Sequence, residues 1–427
     1  MKYLFKNAPR FHHFAPLLFF AIVVIAFASV GKASTLTVTN IADNGPGTFR
    51  TLISSAGAGD TITFAADLSG QTISLTNGQI TLTNNVTIDA SSLAGAVAIS
   101  GNNVSRVFEV ATGAVLHLAA LTIRDGYAPN AQNPTNGGGG ILNRGTLTLT
   151  NCTLAANRAL QGFHPAGGAI ENLTAATLTM QNCLIVSNQA GYYGGGIDGA
   201  GGVVTLNQCT LTANSSAQYG GGITLGFAVL TVNQCTVVSN SATSSGGGMY
   251  QISSNQGITN SIVAGNLAPI KPNILGQDGV HSLTSGDPQL APLGNYGGLT
   301  QTMPPLPGSA AINGCTAGTG FATDQRGYPR IVGPYADIGA VEGIYNPAGP
   351  GTLKNITVLG NGSLSFSFTN YTDAVFAVLA STNPNEPLSN WTQIGLVTES
   401  PFGSGQFSFT DTQAQNYPQR FYRVANP

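Results

Sequence analysis

Between Gly145 and Ala159 the chain reads GTLTLTNCTLAANRA, where Leu147 and Leu149 alternate with threonines, a turn falls at Thr150 and Asn151, and Cys152 and Leu154 resume the alternation. Alternation at period two is the pattern of a half-buried strand. With a further short strand at Ile141, the unit predicts three strands of four or five residues. The same line is then written again. Cys152, Cys183, Cys209 and Cys235 are 31, 26 and 26 residues apart, and another 26 residues lead to Ser261 in TNSIVAGN. Five residues after each of these positions stands Asn157, Asn188, Asn214, Asn240 or Asn266; 11 to 13 residues before each stands Ile141, Ile170, Ile197, Ile223 or Met249, behind a glycine-rich triplet.

A fixed period of this length marks one supersecondary unit stacked on copies of itself. No segment between residues 35 and 345 carries a helical period, and strands this short bury an apolar face only when stacked. Successive coils are then expected about 4.8 Å apart, joined by parallel hydrogen bonds, with like residues above like. The isoleucines form an inward column, each worth roughly 1.5–3 kcal/mol, and the asparagines form a ladder of amides. The cysteines form a second inward column of small apolar side chains rather than disulfides. Glycines supply corners with positive φ.

Composition agrees with an ordered, weakly charged solenoid. Charged residues are 7% of the chain, against roughly 25% in ordinary globular proteins, while 42% of residues are hydrophobic. Lys2, Lys6 and Arg10 precede the apolar run APLLFFAIVVIAFASV and then small residues, the pattern of a secretory signal over residues 1–34. A retained anchor is the alternative, but the run falls short of the ~20 residues that span a bilayer, so no integral membrane domain is expected in the mature chain. Losing residues 1–34 leaves 11 basic against 17 acidic side chains and a net charge near −6. That balance gives no footprint for nucleic acid.

The stretch GGGGILNRGTLTLTNCTLAANRA and its successors resemble the repeats of bacterial exported right-handed parallel β-helix proteins, including polymorphic outer-membrane-protein-type repeats. TISLTNGQITLTNNVTIDASS and RVFEVATGAVLHLAALTIRDGYA resemble their opening coils. DPQLAPLGNYGGLTQTMPPLPGSAAING and TDQRGYPRIVGPYADIGAVE resemble the choice-of-anchor-type terminal region that follows such helices. The resemblance implies a pectate-lyase-like fold over about residues 35–345 and says little about activity, since one coil carries lyases, hydrolases and adhesins.

After a Pro/Gly linker at 346–352 the repeat stops. Runs such as SLSFSFT, AVFAVLAS and GQFSFTDT predict a small antiparallel β-sandwich over 353–427, similar to the immunoglobulin-like tail modules of exported proteins, with Trp391 in its core. The expected fold is therefore all-β: a right-handed parallel β-helix over 35–286, a terminal or capping region over 287–345, and the sandwich.

Chemistry is sparse. Standard hydrolase, phosphate-binding and zinc motifs are missing, and no cofactor or metal is expected. Glu171 and Asp198 both follow the inward isoleucine, so they are expected outward in adjacent coils as a solvated charge pair, or as the weak candidate acid and nucleophile of a glycosidase. Asp324, Arg326, Arg330, Asp337 and Glu342 are dense charges where the solenoid must close its open end, and are expected to be structural.

One edge is richer. The connection from ladder asparagine to glycine triplet is expanded at Tyr127–Asn136 and Arg158–Ala166, and this edge carries Tyr127, Phe163, Tyr192, Tyr193 and Tyr219. Insertions on one solenoid edge often build the binding face; these rings suit sugar stacking, with Asn188 and Asn214 offering amides nearby, or they simply cover the corner. Two readings stay open. One is an exported, non-catalytic surface or matrix protein of bacterial type whose partner is a polysaccharide or cell-surface glycan. The other is a carbohydrate-active enzyme, a polysaccharide lyase or glycoside hydrolase, on the same scaffold.

Overall fold

A computed structural model describes residues 33–128, 137–252, 255–306, 308–315, 320–332, 335–343, 352–370, 375–401 and 404–425. The apolar N-terminal run, most of the Tyr127–Asn136 connection and nearly all of the 346–352 linker lie outside them. Within the described residues the chain winds into a parallel β-solenoid. Sheet A stacks nine strands from Thr35–Val38 to Asn255–Thr259, sheet B eight from Ile80–Leu82 to Ile274–Leu275, and sheet C eight from Thr72–Ser74 to Ile262–Ala264. A fourth ribbon of two-residue strands, Arg158–Ala159, Gln189–Ala190, Ser215–Ser216 and Ser241–Ala242, lies outside the three strands expected per coil. No helix among the described residues is long and apolar enough to cross a membrane.

The register is the one the repeat predicts. Ile141, Ile170, Ile197, Ile223 and Met249 lie over one another in sheet B and are buried. Cys152, Cys183, Cys209 and Cys235 are fully buried free thiols, and Cys315 is free as well. Burial pushes the thiols of Cys152 and Cys209 well above the usual range, so they behave as small apolar groups.

Each coil turns three left-handed corners in register. One precedes the cysteine column, at Asn151, Asn182, Gln208, Gln234 and Asn260 (φ 50–55°); one precedes the asparagine ladder, at Ala156, Ser187, Ala213 and Ser239 (φ 55–56°). The third is the first glycine of the triplet at Gly167, Gly194, Gly220 and Gly246 (φ 58–63°). Only the third requires glycine on grounds of space as well as φ: a Cβ on Gly194 would stand 2.3 Å from the Ile197 carbonyl oxygen. A left-handed non-glycine residue costs roughly 1–2 kcal/mol, so something must hold these corners.

The asparagine ladder does so. The Asn188 Oδ1 accepts from both the backbone N–H (2.9 Å) and the Nδ2 (3.0 Å) of Asn157, while its own Nδ2 donates to the Leu154 carbonyl (3.0 Å) and to the Asn214 Oδ1 (2.9 Å). The pattern repeats through Asn214, Asn240 and Asn266. All five asparagines are buried with their amide groups bonded, as buried polar groups must be.

The two flanks of the solenoid close by different means. At the N-terminal end, contrary to the expectation of no helix, Phe49–Ser55 is α-helical and turns Phe49 and Ile53 into the core, Phe49 meeting Phe64 at 5.7 Å and Phe108 at 6.1 Å. Two turns are too short for a helical period to register. The region 287–343 lies along the outer face of sheet C: Gln325 donates to the Cys183 carbonyl (3.3 Å), Thr210 donates to Gln325 (2.7 Å), and the Ala340 N–H donates to the Thr236 hydroxyl (3.0 Å). It covers Val238, Ile262 and Ala264, outward apolar residues that packing with Ala311, Cys315, Ala336 and Ile338 removes from water.

The charge cluster is therefore structural, but it braces a flank rather than an open end. Asp324 is fully buried and binds Arg326 at 2.7 Å as well as the backbone N–H of Glu342; Arg330 donates to the carbonyls of Asp337 and Gly339, and Glu342 accepts from the N–H groups of Val332 and Asp337. Asp324 and Arg326 form the ion pair of the cluster, while burial pushes Asp337 up to about 6 and Glu342 up to about 7 against the backbone N–H groups that hold them.

Residues 354–425 form two three-stranded antiparallel sheets. Their core is built on Phe366, Phe368, Phe376 and Phe407, with Phe368 stacked on Phe407 at 4.9 Å. Trp391 is buried as expected, its Nε1 donating to the Glu386 carbonyl at 3.1 Å, but the bulky centre is phenylalanine.

Two substitutions separate ladder from column. Asn214→Leu strips the acceptor from the Asn188 N–H and should cost on the order of 2–4 kcal/mol. Cys209→Val keeps the site apolar and adds about one methyl group, and should cost about 1–2 kcal/mol, less than the ladder variant. Urea midpoints of the two variants check the order.

Candidate functional site

The aromatic edge arises because the coil from Cys183 to Ser261 keeps a constant 26-residue period. Ala166, Tyr193, Tyr219 and Ser245 consequently pair as successive parallel bridges just before their glycine triplets. The Tyr193 and Tyr219 rings stack at 5.7 Å and 24°. Tyr192 packs edge-on against Tyr193 at 4.5 Å and reaches Tyr219 at 5.7 Å.

Two residues that sequence reasoning did not single out extend the row. His164 lies 4.0 Å from Phe163 and 4.1 Å from Tyr192, bridging them, and Tyr250 lies 4.6 Å from Tyr219. The result is a continuous strip, Phe163, His164, Tyr192 and Tyr193, Tyr219, Tyr250, that crosses four coils. Phe163 is 64% exposed and the other rings are half-buried. The signal for Tyr250 was present, since it shares an outward column with Glu171 and Asp198; His164 sits in the expanded connection and has no register to betray it.

Tyr127 does not join the strip's column. Its backbone bridges Arg158, and that column continues through Gln189, Ser215 and Ser241, beside the one that carries Tyr193. Asn188 and Asn214 are unavailable as ligand amides, because both are fully buried in the ladder. Burial and the neighbouring phenols push Tyr193 up to about 12, and Tyr250 is raised for the same reasons. The Tyr193 and Tyr250 hydroxyls therefore keep their protons at neutral pH. Two clefts, of about 200 and 270 Å³, lie elsewhere, one beside Arg50 and Gln79 and one between Leu93 and Leu299.

Glu171 and Asp198 are in register in adjacent coils, as the repeat predicts, within an outward column that runs Thr81, Glu109, Leu142, Glu171, Asp198, Thr224, Tyr250. They are not solvated: Glu171 is 2% and Asp198 6% exposed. The corner of the preceding coil folds over this side of sheet B. Glu171 accepts from the Gly137 N–H at 2.6 Å, and Arg106, itself buried, donates to the carbonyls of Gly137 and Gly138 at 2.7 and 2.9 Å. Thr224 makes the analogous clasp, accepting from the Gly194 N–H at 2.9 Å and donating to the Tyr219 carbonyl at 3.0 Å. Arg144 pairs with Glu109 at 3.1 Å. The outward column thus fastens glycine corners.

Desolvation raises Glu171 to about 8, with the nearby Asp198 adding to the rise and the Gly137 N–H and Arg106 opposing it; desolvation raises Asp198 to about 7. Among the described residues no group of three or more His, Cys, Asp or Glu side chains is placed to hold a metal ion. No protein-family model matches the chain, and no curated protein matches it.

The sign of the pH dependence follows. Between the ordinary carboxyl range and about 8 the folded chain keeps protons on Glu171 and Asp198 that the unfolded chain has released, so their contribution to stability is present at acid pH and lost as pH rises through 7 to 8. Glu171→Gln with Asp198→Asn should flatten the fall in unfolding free energy between pH 5 and pH 8. A slope equal to that of the parent chain would refute the assignment.

Proposed function

We propose that the protein is an exported, non-catalytic β-solenoid of a bacterial surface or matrix, built on polymorphic outer-membrane-protein-like repeats and ending in an immunoglobulin-like module, that binds polysaccharide along its aromatic edge. The observation that carries this reading is the continuous strip of contacting rings from Phe163 to Tyr250, which crosses successive coils with Tyr193 and Tyr219 stacked in register. A polymer that presents one ring face after another needs such an open row rather than a closed pocket. Neutral phenols add hydrogen-bond donors without attracting ions. The leader over residues 1–34 supports export.

The enzymatic alternative has less support. A glycosidase needs two carboxyls that flank the scissile bond, and Glu171 and Asp198 are 2% and 6% exposed, Glu171 clasped by the Gly137 N–H. Buried to that degree, neither carboxyl is open to a sugar chain in this fold.

Replacing Tyr193 and Tyr219 together with alanine should weaken retention on the polysaccharide that binds the parent best by roughly 1–3 kcal/mol, with little change in melting temperature. Affinity electrophoresis across a panel of plant and bacterial polysaccharides measures it, alongside an assay for new reducing or unsaturated ends. A large loss of stability with unchanged retention would make the rings corner packing. Cleavage abolished by Glu171→Gln with Asp198→Asn would make the protein an enzyme.

A further inference from the structure

Sheet A carries a second periodic surface, away from the aromatic row. Its outward middle column runs Thr35, Thr61, Thr87, His117, Thr148, Thr179, Thr205 and Thr231, each in register with the next. Two residues earlier on each strand a parallel column runs Thr146, Thr177, Val203 and Val229; two residues later a third runs Thr150, Gln181, Asn207 and Asn233. Every intervening side chain, from Leu147 to Val232, points into the core.

Three properties of this patch bear on what it can hold. It is rigid: threonine and valine are stiff at χ1, and ladder-bonded neighbours fix each backbone. It is regular, with repeats of about 4.8 Å across the coils and about 6.7 Å along each strand between outward residues. It is uncharged from Thr146 to Asn233, and the hydroxyls of Thr148, Thr179, Thr205 and Thr231 make no hydrogen bond within the described chain. Val203 and Val229, 40% and 48% exposed, continue the methyl row where threonine stops.

A rigid planar lattice binds best to another lattice. Charge complementarity excludes a mineral or an anionic polymer, which would find no counter-charge here. A neutral crystalline polysaccharide calls for aromatic platforms, and no ring stands in these columns between Thr146 and Asn233. What remains is a lattice of water. Rows of methyls exclude disordered solvent while the hydroxyls between them hydrogen-bond the ordered waters, and bridging waters are nearly as good as direct bonds. Both repeats lie near those of hexagonal ice. We infer that the outward threonine face of sheet A is an ice-binding surface. It does not depend on the glycan reading, since the two use different faces.

Ice-affinity partitioning tests this with the full chain: a dilute solution is frozen slowly onto a cold probe and protein is measured in the ice and in the liquid. The parent chain should enrich in the ice fraction, and Thr179→Tyr with Thr205→Tyr should lower the ice-bound share by on the order of tenfold while the melting temperature holds. Thr205→Lys alone serves if the double variant does not fold. Tyr193→Ala with Tyr219→Ala should partition like the parent. Exclusion of the parent chain from ice, to the extent seen for an ordinary globular protein, overturns the inference; so do threonine variants that partition unchanged, or a loss in them of binding to a crystalline polysaccharide instead.

Discussion

Everything on the outside of this molecule depends on coil-to-coil register, and register depends on the buried asparagine ladder. Parallel backbone hydrogen bonds alone tolerate a slip, because every strand offers the same donors and acceptors at each step. The ladder does not: a slip of one residue would take the Asn214 Oδ1 away from both the N–H and the Nδ2 of Asn188 and leave buried polar groups unpaired. The same amides stabilise the left-handed residue before Asn157, Asn188, Asn214 and Asn240, so the cost of that corner and the satisfaction of the ladder are met at one place in each of these four coils.

Register then converts a sequence period into surfaces. Because position is inherited from one coil to the next, a tyrosine before the triplet in two coils becomes a stacked pair, and a threonine at the middle of four successive strands becomes a row. The three sheets have different fates. The later strands of sheet C are covered by described residues of 287–343, the glycine-corner side of sheet B is closed over Glu171, and sheet A stays open to solvent. The aromatic edge and the threonine face are the surfaces proposed for binding, whereas Glu171, a strongly perturbed carboxyl, lies where the fold fastens a corner. Perturbed carboxyls are often read as catalytic; here burial accounts for both, and for Glu171 that burial comes with a corner clasped over it.

Much of this was legible in the sequence. The cysteine, asparagine and isoleucine rulers fixed the solenoid, the inward columns, the ladder and the stacking of Tyr193 on Tyr219, because each is a statement about period alone. What was not legible involves contacts between parts of the chain with no shared period. The burial of Glu171 comes from Gly137, 34 residues earlier, folding across it, and the sheath on sheet C comes from Gln325 meeting Cys183, 142 residues away. Alternation says that a side chain points outward; it does not say whether another segment lies there. The seven-residue helix at Phe49 and the two-residue strands of the fourth ribbon fell below the length at which any period can be recognised. His164 joined the aromatic row through a local loop conformation that composition does not encode.

The most direct measurement is native-state hydrogen exchange at the backbone amides of Asn188, Asn214 and Asn240. If the ladder sets the register, these three amides exchange together, among the slowest in the chain, and only through global unfolding of the solenoid. Independent, coil-by-coil exchange at rates faster than those of the sheet A strands would contradict the account, because the surfaces would then owe their order to something other than the ladder.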